Sequence, residues 1–210
     1  MIRILTILVL ILWSGLQLHA QRRFQVQVIA GTNASQIDGD LYAGYNKLGL
    51  VAGLGVNTIL TEKTSLGIEI LYSQQGSQSE LFIGNNFQPF KIQLDYIEVP
   101  ILYHFKDWLV EGEEKADDYY KIMISGGVTY GRLFNTSIES ASPDFRNLVD
   151  FFRDDQVALT LGATFMATKN IGFTARWTRS FIFLYRNEVD NPNSNSLLVK
   201  FLTFRTFYQF

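Results

Sequence analysis

Apolar and polar residues alternate along most of the chain, and this pattern predicts a protein built from β-strands. Successive side chains of a strand point to opposite faces of the sheet, so a repeat of two residues indicates a strand. Helical periodicity is nearly absent after residue 24. The eight predicted strands are 24–33, 46–59, 66–76, 91–106, 119–134, 156–168, 170–184 and 196–210.

The connections between these strands alternate between a shorter and a longer set. The shorter connections are 60–65, 107–118 and 168–170, and the longer ones are 34–45, 77–90, 135–155 and 185–195. In an up-and-down antiparallel barrel, successive connections leave from opposite ends, so this topology accounts for the alternation. The predicted fold is therefore all-β, an eight-stranded antiparallel up-and-down barrel with both termini in the periplasm and the longer loops outside.

The polar face of the strands favours a transmembrane barrel over a sandwich in water. This face is rich in Gly, Thr, Ser, Gln and Asn and comparatively poor in Lys and Glu. Small polar groups fit the crowded interior of a narrow barrel, where glycines make room for larger neighbours and eight strands leave no wide channel. Aromatic residues gather near the strand ends, as in the interfacial girdles of such barrels. We therefore expect a closed lumen and a surface in contact with outer-membrane lipid.

The first twenty residues have the features of a secretory signal peptide. Arg3 precedes the apolar run Ile4–Leu12, and Leu18-His19-Ala20 forms a loose cleavage site. The apolar stretch is shorter than the ~20 residues that a spanning helix needs. We therefore expect residues 1–20 to be removed, residues 21–210 to form the barrel domain, and the protein to reside in the outer membrane.

Composition and charge exclude several classes of function. The formal net charge is −2 with no basic cluster, which argues against nucleic-acid binding. The chain has no cysteine, so disulfides and thiolate catalysis are excluded. The acidic connection 107–118 lacks the spacing of an EF-hand. We predict no metal site and no cofactor.

Four charged residues are expected on the inward face of the predicted strands: Glu69, Glu98, Arg176 and Arg205. An isolated ion inside a narrow barrel is very costly, so these side chains must pair. The pattern predicts a structural salt-bridge network that plugs the lumen, with Lys121 as a candidate additional member. A glycosidase-like carboxylate pair would need a substrate cleft, and no cleft-forming loop is evident.

Pro100 lies inside the predicted strand 91–106. Proline has no backbone N–H, so it removes one hydrogen bond from the strand ladder. We therefore expect a bulge or a kink at Pro100.

Two segments of the chain resemble a known family of small barrels. The segment from Leu48 to Ser77 reads LGLVAGLGVNTILTEKTSLGIEILYSQQGS, and the segment from Tyr96 to Phe105 reads YIEVPILYHF. Both are similar to the PorT-like outer-membrane β-barrel family of Bacteroidetes-type bacteria. The resemblance assigns Tyr72, Gly76, Tyr96 and Pro100 to the family motif. It also implies one candidate role, because some members take part in type IX secretion and gliding.

The last predicted strand places two aromatic residues, Tyr208 and Phe210, at its end. They resemble the C-terminal signal that the barrel-assembly machinery reads. The resemblance implies that this machinery is a partner of the protein.

A structural or interaction role at the cell envelope is the leading functional interpretation, and we do not expect an enzyme. Loops on rigid scaffolds commonly carry function, so a partner is expected at 77–90 and 135–155. Two alternatives remain. A membrane-embedded lipid-modifying enzyme would need His104 beside a serine on one wall, although no Gly-x-Ser-x-Gly motif exists. A soluble lipid-carrying barrel is the second alternative.

Overall fold

The computed structural model describes residues 24–38, 45–83, 86–113, 117–140, 152–184 and 197–210. The eight strands are β1 (Phe24–Asp38), β2 (Lys47–Ile59), β3 (Thr64–Ile83), β4 (Asn86–Val110), β5 (Tyr119–Ser140), β6 (Asp155–Met166), β7 (Ile171–Ser180) and β8 (Leu198–Gln209). Each strand pairs antiparallel with the next, and β1 also pairs with β8. The predicted fold, a closed eight-stranded antiparallel barrel, is confirmed.

The two ends of this barrel differ. The terminal end carries Phe24, Phe210 and the short connections 60–63 and 167–170. The opposite end, which we call the loop end, carries the outer parts of β3, β4 and β5. In the described residues, no helix is long and apolar enough to cross a membrane.

Apolar side chains cover the outside of the barrel. In β2, Leu48, Leu50 and Leu54 are exposed, whereas Val51 and Asn57 of the same strand are buried. An exposed apolar surface of this extent is unfavourable in water and favourable against acyl chains. The two-residue repeat of the sequence therefore separates a lipid-facing surface from the interior.

Aromatic side chains are exposed near both ends of the wall. Those near the terminal end are Phe24, Tyr103, Phe105, Trp108, Phe165, Phe173, Tyr208 and Phe210, and those toward the loop end are Tyr130, Phe134 and Phe181. Such positions match the two headgroup levels of a bilayer, where amphipathic rings are favoured.

The interior holds two buried apolar clusters. The first lies toward the loop end and comprises Ile37, Ile92, Leu94, Tyr96, Leu133, Leu184, Leu197, Val199 and Phe201. The second comprises Ile29, Val51, Leu71, Met123, Met166 and Phe207. The polar and charged side chains of the lumen pack against both clusters.

The prediction of a loop at 77–90 is wrong, because most of these residues belong to β3 and β4. β3 runs to Ile83 and β4 starts at Asn86, with Phe82 paired to Phe87. β5 likewise continues to Ser140, so the first residues of the predicted loop 135–155 are also strand, and residues 141–151 lie outside the described residues. A strand pairs through its backbone, so it can continue where the sequence shows no apolar alternation.

Of the bulge or kink expected at Pro100, the bulge is wrong. Pairing of β4 with β3 stops at Ile101 and resumes at Glu98 in the same register. The missing N–H therefore interrupts the ladder without inserting a residue. The bulge lies instead where β4 pairs with β5, between Asp95 and Tyr96, and it leaves Phe134 without a partner.

Gly76 has a backbone conformation that other residues rarely adopt. Its φ angle is +141°, and a Cβ atom built on it would lie 2.0 Å from the carbonyl oxygen of Ile92. Both observations require glycine at this point of β3, where the strand leaves the barrel wall.

We expect Gly76→Ala to lower the free energy of unfolding by about 1–3 kcal/mol, because the strained φ and the close carbonyl both oppose a methyl group. Urea unfolding of the refolded barrel in detergent micelles measures this difference. Gly126→Ala is the matched control, since its Cβ would meet only Leu161 Cδ2 at 3.4 Å. Equal stability of the two variants would contradict the prediction.

Candidate functional site

The most distinctive chemical feature of the barrel is a layer of charged side chains across its interior. Glu69 comes from β3, Glu98 from β4, Arg176 from β7 and Arg205 from β8. Each is at most 5% exposed. The structure thus places all four predicted residues inside the barrel, on walls that face one another.

Each of these charged residues pairs in the ladder with a glycine. The partners are Gly55 for Glu69, Gly131 for Glu98, Gly162 for Arg176 and Gly31 for Arg205. A Cβ at Gly162 would lie 2.8 Å from Arg176 Cγ, and one at Gly31 would lie 2.6 Å from Arg205 Cβ. The glycines provide the space in which the long side chains cross the lumen.

One carboxylate binds both guanidinium groups. Arg176 donates to Glu69 through Nη1 and Nη2, with both distances 2.8 Å. Arg205 donates to the same two oxygens through Nη1 and Nη2, with both distances 2.7 Å. Such two-pronged charge-assisted bonds are the strong class of hydrogen bond. They join β3 to β7 and β8 directly across the interior.

Glu98 does not take part in these ion pairs. Its carboxylate accepts a hydrogen bond from Gln75 Nε2, and Gln75 Oε1 accepts one from Gln156 Nε2 at 3.4 Å. The predicted network therefore divides into a Glu69–Arg176–Arg205 triad and a separate Glu98–Gln75–Gln156 chain. The amide chain was not predicted, because glutamine on an inward face has no charge signal in the sequence.

Lys121 lies apart from the triad, so its predicted membership is wrong. Its Nζ atom lies 5.0 Å from the ring centroid of Trp108 and 5.6 Å from the ring centroid of Phe165. Both rings are exposed on the outside of the barrel. Near the end of the strand the long side chain of Lys121 can bend outward, where its ammonium group is attracted to these two exposed rings.

Short polar side chains fill the lumen around the triad. Thr203 Oγ1 donates to Asn33 Oδ1 at 2.7 Å, and Asn33 Nδ2 donates to Ser73 Oγ at 2.9 Å. A cavity of about 10 Å³ remains beside Glu98, Arg176 and Arg205. That volume is near the minimum for one water molecule. The charged layer therefore blocks the lumen at its level.

His104 lies inside the barrel between two serines. Ser65 pairs with it on β3 and Ser125 on β5, and all three side chains are buried. Neither imidazole nitrogen and neither serine hydroxyl has a hydrogen-bond partner within the described part of the chain. The serine–histidine bond of a nucleophilic site is thus not formed, and the group faces away from lipid.

The remaining predicted residues occupy two regions of the barrel. Tyr208 and Phe210 are exposed at the terminal end, with ring centroids 5.0 Å apart. Near the loop end, the hydroxyl of Tyr72 donates to Asp95 Oδ1 at 3.2 Å, and Tyr96 is buried in the first apolar cluster. The described residues contain no group of three or more His, Cys, Asp or Glu side chains that could hold a metal ion.

A family model described as outer membrane protein beta-barrel domain matches residues 17–186. The chain belongs to this family. It is accordingly an outer-membrane protein, as the closed barrel with its apolar outer surface requires. No sequence match was found among curated proteins.

Several solved structures of small barrels are similar to this barrel. The attachment invasion locus protein Ail of Yersinia pestis matches with 13% identity and a TM-score of 0.46, covering 89% of this chain and 98% of that one. The N-terminal barrel domain of Pseudomonas aeruginosa OprF matches with 9% identity and a TM-score of 0.40, covering 89% and 96%. Neisserial surface protein A matches with 8% identity and a TM-score of 0.38, covering 89% and 97%.

We expect Glu69→Gln to lower the free energy of unfolding by about 3–5 kcal/mol, because it removes the carboxylate that forms ion pairs with two buried guanidinium groups. Urea unfolding in detergent micelles measures the loss. Lys63→Gln is the control, since it breaks an exposed ion pair with Asp107 at 3.5 Å and should leave stability unchanged. A Glu69→Gln barrel as stable as the control would show that the triad contributes little.

Proposed function

We propose that the protein is a closed outer-membrane scaffold that binds a partner at the cell surface through the outer parts of β3, β4 and β5. The terminal end faces the periplasm in this proposal. The observation that carries it is the length of these strands, 20, 25 and 22 residues, against 10 in β7 and 12 in β8. The additional residues are more than a bilayer crossing of about 9–11 residues requires.

The three long strands pair with one another farther than their outer neighbours β2 and β6 follow them. Pairing between β2 and β3 ends at Ser73, and pairing between β5 and β6 ends at Arg132. Apart from Leu133, whose N–H donates to the carbonyl oxygen of Asp154 at 2.7 Å, the described residues of β3, β4 and β5 beyond these points pair with one another, as far as Ile83 with Asn86. Gln75 and Ser77 of β3 are still buried, and the six residues from Gln78 to Ile83 extend farther, by about 20 Å along the strand.

This sheet has two strand edges that can accept another strand. Among the described residues, β3 has no strand partner on its outer side past Ser73, and β5 has none past Arg132. Phe134, Asn135 and Ser137 are exposed along the β5 edge. Free edges recruit extended segments, which add a strand through main-chain hydrogen bonds. We therefore propose an extended segment of an envelope or secreted protein as the partner.

The finer assignment to the PorT-like family is part of the proposal. Its support is the sequence motif, whose residues Tyr72, Gly76 and Tyr96 occur where β3 and β4 leave the barrel wall. A role in type IX secretion or gliding is the second candidate, because some members of that family have it. The proposal also includes removal of residues 1–20 and reading of Tyr208 and Phe210 by the barrel-assembly machinery.

A non-enzymatic role is proposed as well. A lipid-modifying site would have to act on lipid, whereas His104 and its neighbouring serines are buried inside the lumen. The soluble lipid-carrying alternative has no support, because the family and the apolar outer surface place the protein in the membrane.

We expect a photo-crosslinking amino acid at Asn135 to give a protein adduct in intact cells, because this exposed position lies on the edge of β5 that no described strand covers. Denaturing gels with antibody detection measure the adduct. The same label at Ile124, on the lipid-facing wall, is the control. Ser137→Lys should abolish the Asn135 adduct, since a lysine protects an edge from strand addition. An adduct that persists in this variant would contradict the edge as the binding site.

We expect the closed lumen to be impermeable to small sugars, because the charged layer and its neighbours fill it. Liposome swelling with arabinose should be no faster with the reconstituted protein than in protein-free vesicles. A known porin reconstituted in parallel provides the positive control. Sugar-dependent swelling by the folded barrel would contradict a plugged interior.

A further inference from the structure

The lipid-facing wall carries a groove that the proposed function does not use. It has a volume of about 690 Å³ and lies across the end of β5 and across β6, β7, β8 and β1. Its floor is made of small residues, Ala30, Ala163, Ala175 and Thr206. Larger side chains flank them, namely Ile122, Phe165, Phe173 and Phe204. All four flanking side chains are exposed to the outside of the barrel.

The strand register arranges the small residues of the groove as two neighbouring pairs. Ala163 pairs with Ala175, and Thr206 pairs with Ala30. On the facing strands Phe204 pairs with Ala175 and Phe173 with Thr206, so a large ring stands beside each pair. The wall of β2 and β3 differs, because it carries the exposed large residues Leu50, Leu54, Ile68 and Ile70.

A positive charge lies next to one end of the groove. The Nζ atom of Lys121 is 5.6 Å from the ring centroid of Phe165, a groove residue, and Lys121 directly precedes Ile122, another groove residue. It also stands 5.0 Å from the ring of Trp108 at the terminal end. Within the described residues, no carboxylate forms an ion pair with Lys121.

We propose that this groove binds a glycerophospholipid, with an acyl chain over the alanine floor and the phosphate at Lys121. An acyl chain that lies between aromatic walls gains packing contacts that a smooth wall of leucines does not offer. The ammonium group attracts the anionic phosphate at the headgroup level, where Trp108 also marks the interface. The terminal end faces the periplasm in the proposed orientation, so the lipid belongs to the periplasmic leaflet.

A second copy of the chain fits the groove less well than a lipid does. The outer wall of a narrow barrel is convex, so two such walls touch along a line and leave a concave groove unfilled. The groove lining of a second copy contains no carboxylate that could pair with Lys121, whereas every glycerophospholipid carries a phosphate. Shape and charge therefore favour the lipid.

Lipid retention tests the proposal. The folded protein is released from nanodiscs of phosphatidylethanolamine and phosphatidylglycerol, and bound phospholipid is counted by native mass spectrometry. We expect the wild-type barrel to retain phospholipid. Lys121→Gln should lower retention about fivefold, as expected for the loss of one lysine–phosphate attraction. Ala175→Phe, which fills the groove floor, should abolish retention.

Two control variants make the result specific to the groove. Lys63→Gln removes a positive charge at the same end on a different connection, and Leu54→Phe adds bulk to the lipid-facing wall of β2. Both should retain lipid like the wild type, and heat-modifiable gel mobility verifies that every variant is folded. Equal retention by all five proteins would overturn the proposal. So would a wild-type dimer, detected by light scattering, that Ala175→Phe converts to a monomer.

Discussion

Closure of the backbone ladder between β1 and β8 is the constraint on which the rest of this structure depends. In hydrocarbon an unpaired backbone amide or carbonyl has no water to bond, so a sheet crosses a bilayer only when its first and last strands pair. Here Gln27 pairs with Gln209 and Asp38 with Leu198, which closes the sheet after eight strands. Eight strands define a narrow interior, and every inward side chain must fit and find its partners within it.

The charged layer is a consequence of that narrow interior. Glu69 can neutralise Arg176 and Arg205 together because three strands bring their side chains to one point of the lumen. The glycines opposite the charged residues leave room for the long side chains. The charged groups can therefore form their hydrogen bonds without steric overlap. Because side chains fill the interior, other molecules can bind only at the outer surfaces. The proposals above concern two such surfaces, namely the extension of β3, β4 and β5 and the groove on the lipid-facing wall.

The two outer surfaces would meet different environments. Among the residues that the structure describes, the extension of β3, β4 and β5 has unpaired backbone edges, which are unsuited to hydrocarbon and suited to pairing with another strand. The groove presents alanine and aromatic side chains beside Lys121, a combination suited to the boundary between acyl chains and headgroups. Because the filled barrel connects the two surfaces, it would fix the distance between the strand extension and the groove across the membrane.

The sequence by itself determined the strand number, the antiparallel topology and the inward position of the four charged residues, because all three follow from a local two-residue repeat. The tertiary structure alone decided that Glu69 takes both arginines while Glu98 bonds to Gln75. Those partners lie 107 and 136 residues from Glu69 along the chain, and only the register of closed strands brings them together. The same reason applies to the glycine opposite each charge, to the unpaired Phe134 and to the strands within 77–90. Register is set between distant segments, so no local pattern contains it.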